Sequence, residues 1–177
     1  MEHPSPSTAE NCTRRKRASL LAVALGALPW FAAAAWAQNI DLGKQVYQTK
    51  VGCPECHGWA GDGAQEDPRA PRGANLRATM LDRAALIMVI KCGIPGASMP
   101  YFDGRAYTDD RCYGMTEAQI GNSKPPPGTP VLIQREIEAV ADYLLAKVVG
   151  KGDPNYEQCL EFFGSPVERC RSLPRAR

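Results

Sequence analysis

The chain has 177 residues with 21 basic and 19 acidic side chains, a formal charge of +2, and only two histidines against seven cysteines. Four of the basic and two of the acidic residues lie before residue 38, so the remainder is charge-balanced, and that excludes a nucleic-acid surface built to neutralise phosphates. The chain beyond residue 37 is enough for one domain with a single core and too short for a second catalytic domain.

Residues 1–37 read as a secretory signal peptide. Arg14-Arg15-Lys16-Arg17 precedes an apolar run from Ala18 to Ala37, and Ala35-Trp36-Ala37 supplies small residues for cleavage after Ala37. The run is long enough to span a bilayer, but Pro29 would break a spanning helix and alanine is only weakly lipophilic. Export to the periplasm is therefore expected, with no stable membrane insertion after cleavage.

Leu42, Tyr47 and Val51 predict a first helix over 41–49, with Asn39 or Asp41 as its cap. It leads into Cys53-Pro54-Glu55-Cys56-His57. C-x-x-C-H is the attachment signature of c-type haem: two thiols add to the haem vinyl groups, and the adjacent histidine becomes an axial iron ligand. A thioredoxin-like C-x-x-C would need a βαβ context that this chain lacks, and a structural zinc site would need a second ligand pair with no histidine to supply it. One covalent haem c through Cys53 and Cys56, with His57 on the iron, is the expectation. From His57 to Gly73 the chain turns to glycine, proline and charge, as a loop should.

A helix is predicted over Asp82 to Lys91, ending at Cys92-Gly93. Gly93 to Pro130 is rich in glycine and proline and should be irregular, which a small domain tolerates when a cofactor or cross-link organises the segment. Gln134 to Val149 carries Ile137, Val140, Leu144 and Val148 on one helical face. Tyr156 to Phe163 forms a short amphipathic helix, and the tail with Arg169, Arg171, Arg175 and Arg177 reads as a solvated end. Cys92, Cys112, Cys159 and Cys170 are left after the haem motif takes its pair and Cys12 leaves with the signal. Four cysteines allow three pairings, and closeness in sequence favours Cys92–Cys112 and Cys159–Cys170.

His3 lies in the signal, so His57 is the one histidine available and a bis-histidine haem is excluded by composition. Methionine sulfur is the usual neutral alternative. The candidates are Met80, Met88, Met99 and Met115. Met88 sits among apolar helix neighbours and fits core packing; Met80 precedes that helix and fits a surface or staple role. Met99 lies in Gly93-Ile94-Pro95-Gly96-Ala97-Ser98-Met99-Pro100-Tyr101, a stretch able to lead backbone across the haem face.

The order of C-x-x-C-H near an N-terminal helix, a helix running to Gly93-Ile94-Pro95-Gly96, Met99-Pro100, and a last helix with Tyr143-Leu144 resembles class I cytochrome c over about residues 40–149. The resemblance implies an all-α cytochrome c-like fold, with three to five short helices around one haem. It also implies that Met99 is the sixth ligand, with Met115 the next candidate, and that the first and last helices cross near Gly43 and Tyr47. The domain plan is signal peptide 1–37, cytochrome c domain 38–150 carrying a disulfide-containing insert, and a C-terminal extension 151–177 packed on or trailing from it. Where many members have G-P-x-L, this chain has Gly73-Ala74-Asn75-Leu76, which leaves Pro68, Pro71 or Gly73 to supply the carbonyl that orients His57. Arg77, Trp59, Tyr101 and Tyr107 are candidate donors to the haem propionates.

No nucleophile, base and substrate pocket can be named, so the chemistry belongs to the iron, and a His57/Met99 haem suits one-electron transfer rather than enzyme catalysis. The expected protein is an exported monohaem carrier, a monomer forming transient complexes with a periplasmic dehydrogenase as donor and a cytochrome or oxidase as acceptor in a respiratory chain. The alternatives are the haem subunit of a larger oxidoreductase, such as a quinoprotein dehydrogenase or a sulfur-oxidising complex, and a haem enzyme with an open sixth position.

Overall fold

A computed structural model describes residues 39–176. The expected signal peptide, its cleavage site, His3 and Cys12 lie outside the described residues. Residues 39–45 are α-helical and continue through a π-helical turn, Val46–Lys50, to make α1. There follow α2 (Cys53–His57), α3 (Arg83–Cys92), α4 (Glu117–Ile120), α5 (Gln134–Lys147), α6 (Tyr156–Phe163) and α7 (Glu168–Arg171), with single 3-10 turns at Leu76–Ala78 and Gly121–Ser123. The described residues contain no strand, so the fold is all-α, consistent with the cytochrome c-like expectation. The helices number more than the three to five expected because α2, α4 and α7 are each only one turn or slightly more, too short to carry a periodic signal.

The longer helices begin and end where their sequence signals lie. The Asp82 carboxylate accepts from the Ala85 amide at 2.8 Å to cap α3, and Gly93, at φ 65°, ends it. Asn155 caps α6 through the Gln158 amide at 2.9 Å, and Gly164 closes it in the left-handed conformation. Asn39 is not a cap: it is already helical, and its side-chain amide donates to Asp142 on α5.

α1 crosses α5 at Gly43. A Cβ there would stand 2.0 Å from the Ala139 carbonyl oxygen and 2.7 Å from the Tyr143 Cβ, so only glycine permits this approach. Tyr47 and Tyr143 meet beside the crossing with ring centroids 5.6 Å apart. α3 packs on the same helix through Leu86 and Ile90 against Ile137, Val140 and Leu144, all buried. Arg83 clamps the buried Asp142 with bonds of 2.6 and 3.1 Å. A smaller cluster joins Cys92 to Ala106, Tyr107, Cys112 and Ile120 of the insert.

Both favoured disulfides are present, Cys92–Cys112 and Cys159–Cys170. The second folds the end of the chain back on itself, so the tail keeps Arg169, Arg171 and Arg175 exposed, as expected of a solvated end, but is held by contacts rather than frayed. Arg169 Nη1 lies 2.6 Å from both Glu66 carboxylate oxygens, Arg175 stacks 3.6 Å from the Tyr156 ring centroid, and the Tyr156 amide donates to the Pro174 carbonyl. Among the described residues Arg171 pairs only with its helix neighbour Glu168.

Candidate haem site

Cys53 and Cys56 are the free cysteines among the described residues, while the other four are paired. Their helix, α2, is five residues long with Pro54 in its first turn, where the missing amide hydrogen costs nothing. An i, i+3 spacing puts both sulfurs on one face of this turn, and His57 follows at i+4 from Cys53, so the three groups share a side. Burial pushes the Cys53 thiol up to about 12, with the neighbouring Cys56 and Glu55 adding to it against a backbone hydrogen bond. Cys56 is also raised, by burial and then by Glu55 and Asp67. A redox-active C-x-x-C has depressed thiol pKa values, and both thiols here shift the other way. The described residues also hold no cluster of three His, Cys, Asp or Glu side chains able to bind an ion.

His57 Nδ1 lies 2.9 Å from the Ala74 carbonyl oxygen. A carbonyl only accepts, so Nδ1 carries the proton and the Nε2 lone pair is left for a metal. Burial lowers the imidazole pKa, partly offset by this bond, which keeps the ring in the neutral, ligating form. The orienting carbonyl is therefore that of Ala74, not Pro68, Pro71 or Gly73. Gly73 contributes by its lack of a side chain. A Cβ there would stand 2.6 Å from His57 Nδ1 and 2.9 Å from the Cys56 carbonyl, so glycine lets the 73–75 backbone come against the ring.

The loop after the motif is wound tightly around α2. The Gly63 amide donates to the His57 carbonyl at 2.8 Å, the Glu66 amide to those of Pro54 and Glu55 at 3.1 Å, and the Leu76 amide to that of Gly61 at 2.7 Å. The buried Tyr47 hydroxyl reaches from α1 to the Gly58 carbonyl at 2.8 Å. The bonds to the His57 and Gly58 carbonyls hold the histidine end of the motif.

The four methionines separate by environment. Met80 is 96% exposed, and Met88 and Met115 pack on the small cluster containing the Cys92–Cys112 disulfide. Met99 is half-buried against the main core, the same core that Cys53 and Trp59 pack on. Of the four, it alone shares that core with the haem-motif cysteine.

Two candidate propionate donors are otherwise engaged. Arg77, buried, gives its guanidinium to the Ala60 carbonyl at 3.0 Å, the Lys151 carbonyl at 3.1 Å, Gln158 at 2.9 Å and the Gly152 carbonyl. It locks the C-terminal extension to the haem-motif loop. Tyr107 donates to the Cys92 carbonyl at 2.8 Å inside the small cluster. Trp59 packs against Phe162 and Phe163 of α6, 5.7 Å from each ring centroid, and Tyr101 lies beneath Lys124. The sequence has no means of showing these engagements, because three of Arg77's four acceptors are backbone carbonyls, which leave no residue-type signal.

The residues present fit a covalent haem: two unpaired thiols on one face, a histidine with one ring nitrogen tied to a carbonyl and the other left free, and a thioether on the core that the motif shares. Residues 38–117 match the family described as cytochrome C oxidase, cbb3-type, subunit III, a span that includes Cys53, Cys56, His57, Met99 and the insert disulfide. No curated protein and no solved structure matches the chain.

Proposed function

We propose that this chain, a class I c-type cytochrome, is an exported monohaem carrier that passes single electrons from a periplasmic dehydrogenase to a downstream acceptor. Its haem c is attached through Cys53 and Cys56 and held on the iron by His57 and Met99. The observation that carries the reading is the pairing state of the cysteines: every described cysteine outside C-x-x-C-H is in a disulfide, and the two inside it are free beside a neutral, oriented imidazole.

The bound haem supplies one-electron chemistry, because iron between two fixed ligands changes oxidation state without exchanging either. The protein's part is to keep both ligands in place. The Ala74 carbonyl holds the His57 proton at Nδ1 and raises the basicity of Nε2, while a methionine ligand favours ferrous iron and so lifts the reduction potential. Among the described residues no helix is long and apolar enough to cross a membrane. The charged groups are uneven along the chain, with an acidic stretch over 39–67 and a basic one over 68–91, which suits transient contacts of mixed polar and apolar character.

The reading is tested at Met99. The parent protein should resist carbon monoxide and cyanide, whereas Met99→Ala should bind both and have a lower reduction potential; Met80→Ala, Met88→Ala and Met115→Ala should behave as the parent. An unchanged Met99→Ala protein would show that another group closes the iron.

The matched family is described as an oxidase subunit, which favours a second reading: the chain is the haem subunit of a larger oxidoreductase. Co-purification from the native membrane or periplasmic fraction as a stoichiometric complex would support it over the free carrier.

A further inference from the structure

Electron transfer through a His57/Met99 haem leaves unused the segment between Tyr101 and Gly128. Two of its residues, Tyr107 and Tyr113, have φ of 63° and 56°, the left-handed conformation that a side chain larger than glycine adopts only at a cost. Both spend their hydroxyls on the carbonyls that end α3: Tyr107 on Cys92 at 2.8 Å and Tyr113 on Gly93 at 2.6 Å. Tyr107 is buried and belongs to the small core, so packing accounts for its position. Tyr113 is 38% exposed, and packing does not.

Gly93 packs directly against the Met99–Pro100 backbone. A Cβ at Gly93 would stand 2.6 Å from the Met99 carbonyl oxygen and 2.9 Å from the Pro100 carbonyl carbon. The next amide, that of Ile94, donates to the Met99 carbonyl at 3.3 Å. The rest of the Met99 loop is tied to the same segment: the Gly96 amide to the Ser123 carbonyl at 2.7 Å, and the Tyr101 amide to that of Pro126 at 3.1 Å. The Cys92–Cys112 disulfide, fully buried at both ends, anchors the segment one residue before Tyr113 and one residue before Gly93. Its burial shields it from reductants, so the device is a permanent strap rather than a redox switch.

We propose that residues 101–128 form a strap fixing the backbone of the Met99 loop, and that Tyr113 is its positioning residue, holding the Gly93 carbonyl and through it the approach of the Met99 sulfur to iron. This rests on Met99 being the sixth ligand. Loss of the hydroxyl frees the Gly93 peptide, lets the Met99 carbonyl shift, and makes the sulfur easier to displace.

The test uses the haem-loaded ferric protein, with imidazole as the competing ligand, and measures imidazole affinity, reduction potential and thermal unfolding for Tyr113→Phe, Tyr113→Gly and Met99→Ala. Tyr113→Phe should bind imidazole about fivefold more tightly than the parent and have a lower potential, an effect equal to about 1 kcal/mol in the competition. Tyr113→Gly, which suits the left-handed backbone and lacks the hydroxyl, should do the same. Met99→Ala sets the fully open limit. Parental imidazole binding and potential in Tyr113→Phe, beside an open Met99→Ala, overturn the strap even if the melting temperature falls. An opened Tyr113→Phe with a parental Tyr113→Gly also overturns it, because the hydroxyl is then not the agent. If Met99→Ala itself resists imidazole like the parent, the ligand assignment fails and the strap fails with it.

Discussion

Two segments of this chain carry a disulfide, and they do different work. The insert over 101–130 contributes little to the main core beyond Phe102: Ala106, Tyr107, Cys112 and Ile120 form a satellite cluster with Cys92, and the insert grips the Met99 loop largely through backbone carbonyls and tyrosine hydroxyls. The extension beyond residue 150 does the reverse. Phe162 enters the main core between Tyr47 and Trp59, Gln158 and the carbonyls of Lys151 and Gly152 take up Arg77, and Arg169 holds Glu66 on the haem-motif loop. Each cross-linked segment thus supports one end of the proposed ligand set, the extension beside the His57 motif and the insert beside Met99. Burial and hydrogen bonding divide the labour, and perturbing one segment should be distinguishable from perturbing the other.

The largest effect should come from the extension's apolar anchor. Phe162→Ala removes a buried ring that meets Tyr47, Trp59 and Phe163, and should lower unfolding free energy by about 3–5 kcal/mol in denaturant titration. The sixth position of the molecules that remain folded should stay closed to carbon monoxide. An opened iron in that variant would show that the two segments are not separable.

Next come the cross-links. Replacing Cys92 and Cys112 by serine frees a loop with a sequence separation of 20, and replacing Cys159 and Cys170 frees one of 11, so each should cost about 3 kcal/mol and the former slightly more. The sharper contrast is functional. The insert pair should raise imidazole affinity, while the extension pair should change stability alone; equal effects on imidazole binding would erase the distinction. Arg169→Ala should have the smallest consequence. Its pair with Glu66 is partly exposed at 47% and 29%, and pairs of that kind contribute roughly 0–1 kcal/mol, so the change in melting temperature should shrink further at high salt.

Much of this arrangement is legible in the sequence. The haem motif is local, so Cys53, Cys56 and His57 can be read directly, and α3, α5 and α6 announce themselves through apolar periodicity and, for α3, through Gly93 at its end. Gly43 and Tyr47 mark the helix crossing through the resemblance to class I cytochrome c, and the structure gives the reason for the glycine, since a Cβ at 43 would strike the Ala139 carbonyl. The parts that escape a sequence reading share one cause: they are contacts to backbone. The Ala74 carbonyl that orients His57 has no residue signature, and the same holds for the Gly93 carbonyl under Tyr113 and for the carbonyls that collect Arg77. Tyr107 and Tyr113 also hide their left-handed backbone behind a residue type that rarely adopts it. The docked tail escapes for a related reason, since Arg169 and Arg175 look like any exposed basic residues until the Cys159–Cys170 bridge turns them back.

The central claim is that this protein is a haem carrier built on two thioether bonds, and the most direct measurement is mass and haem staining of the exported chain after full denaturation. The parent should retain one haem through denaturation. Changing both Cys53 and Cys56 to serine should abolish the stained band while the chain is still exported. A stained band that survives the double substitution, or a parent protein that carries no haem at all, would contradict the account.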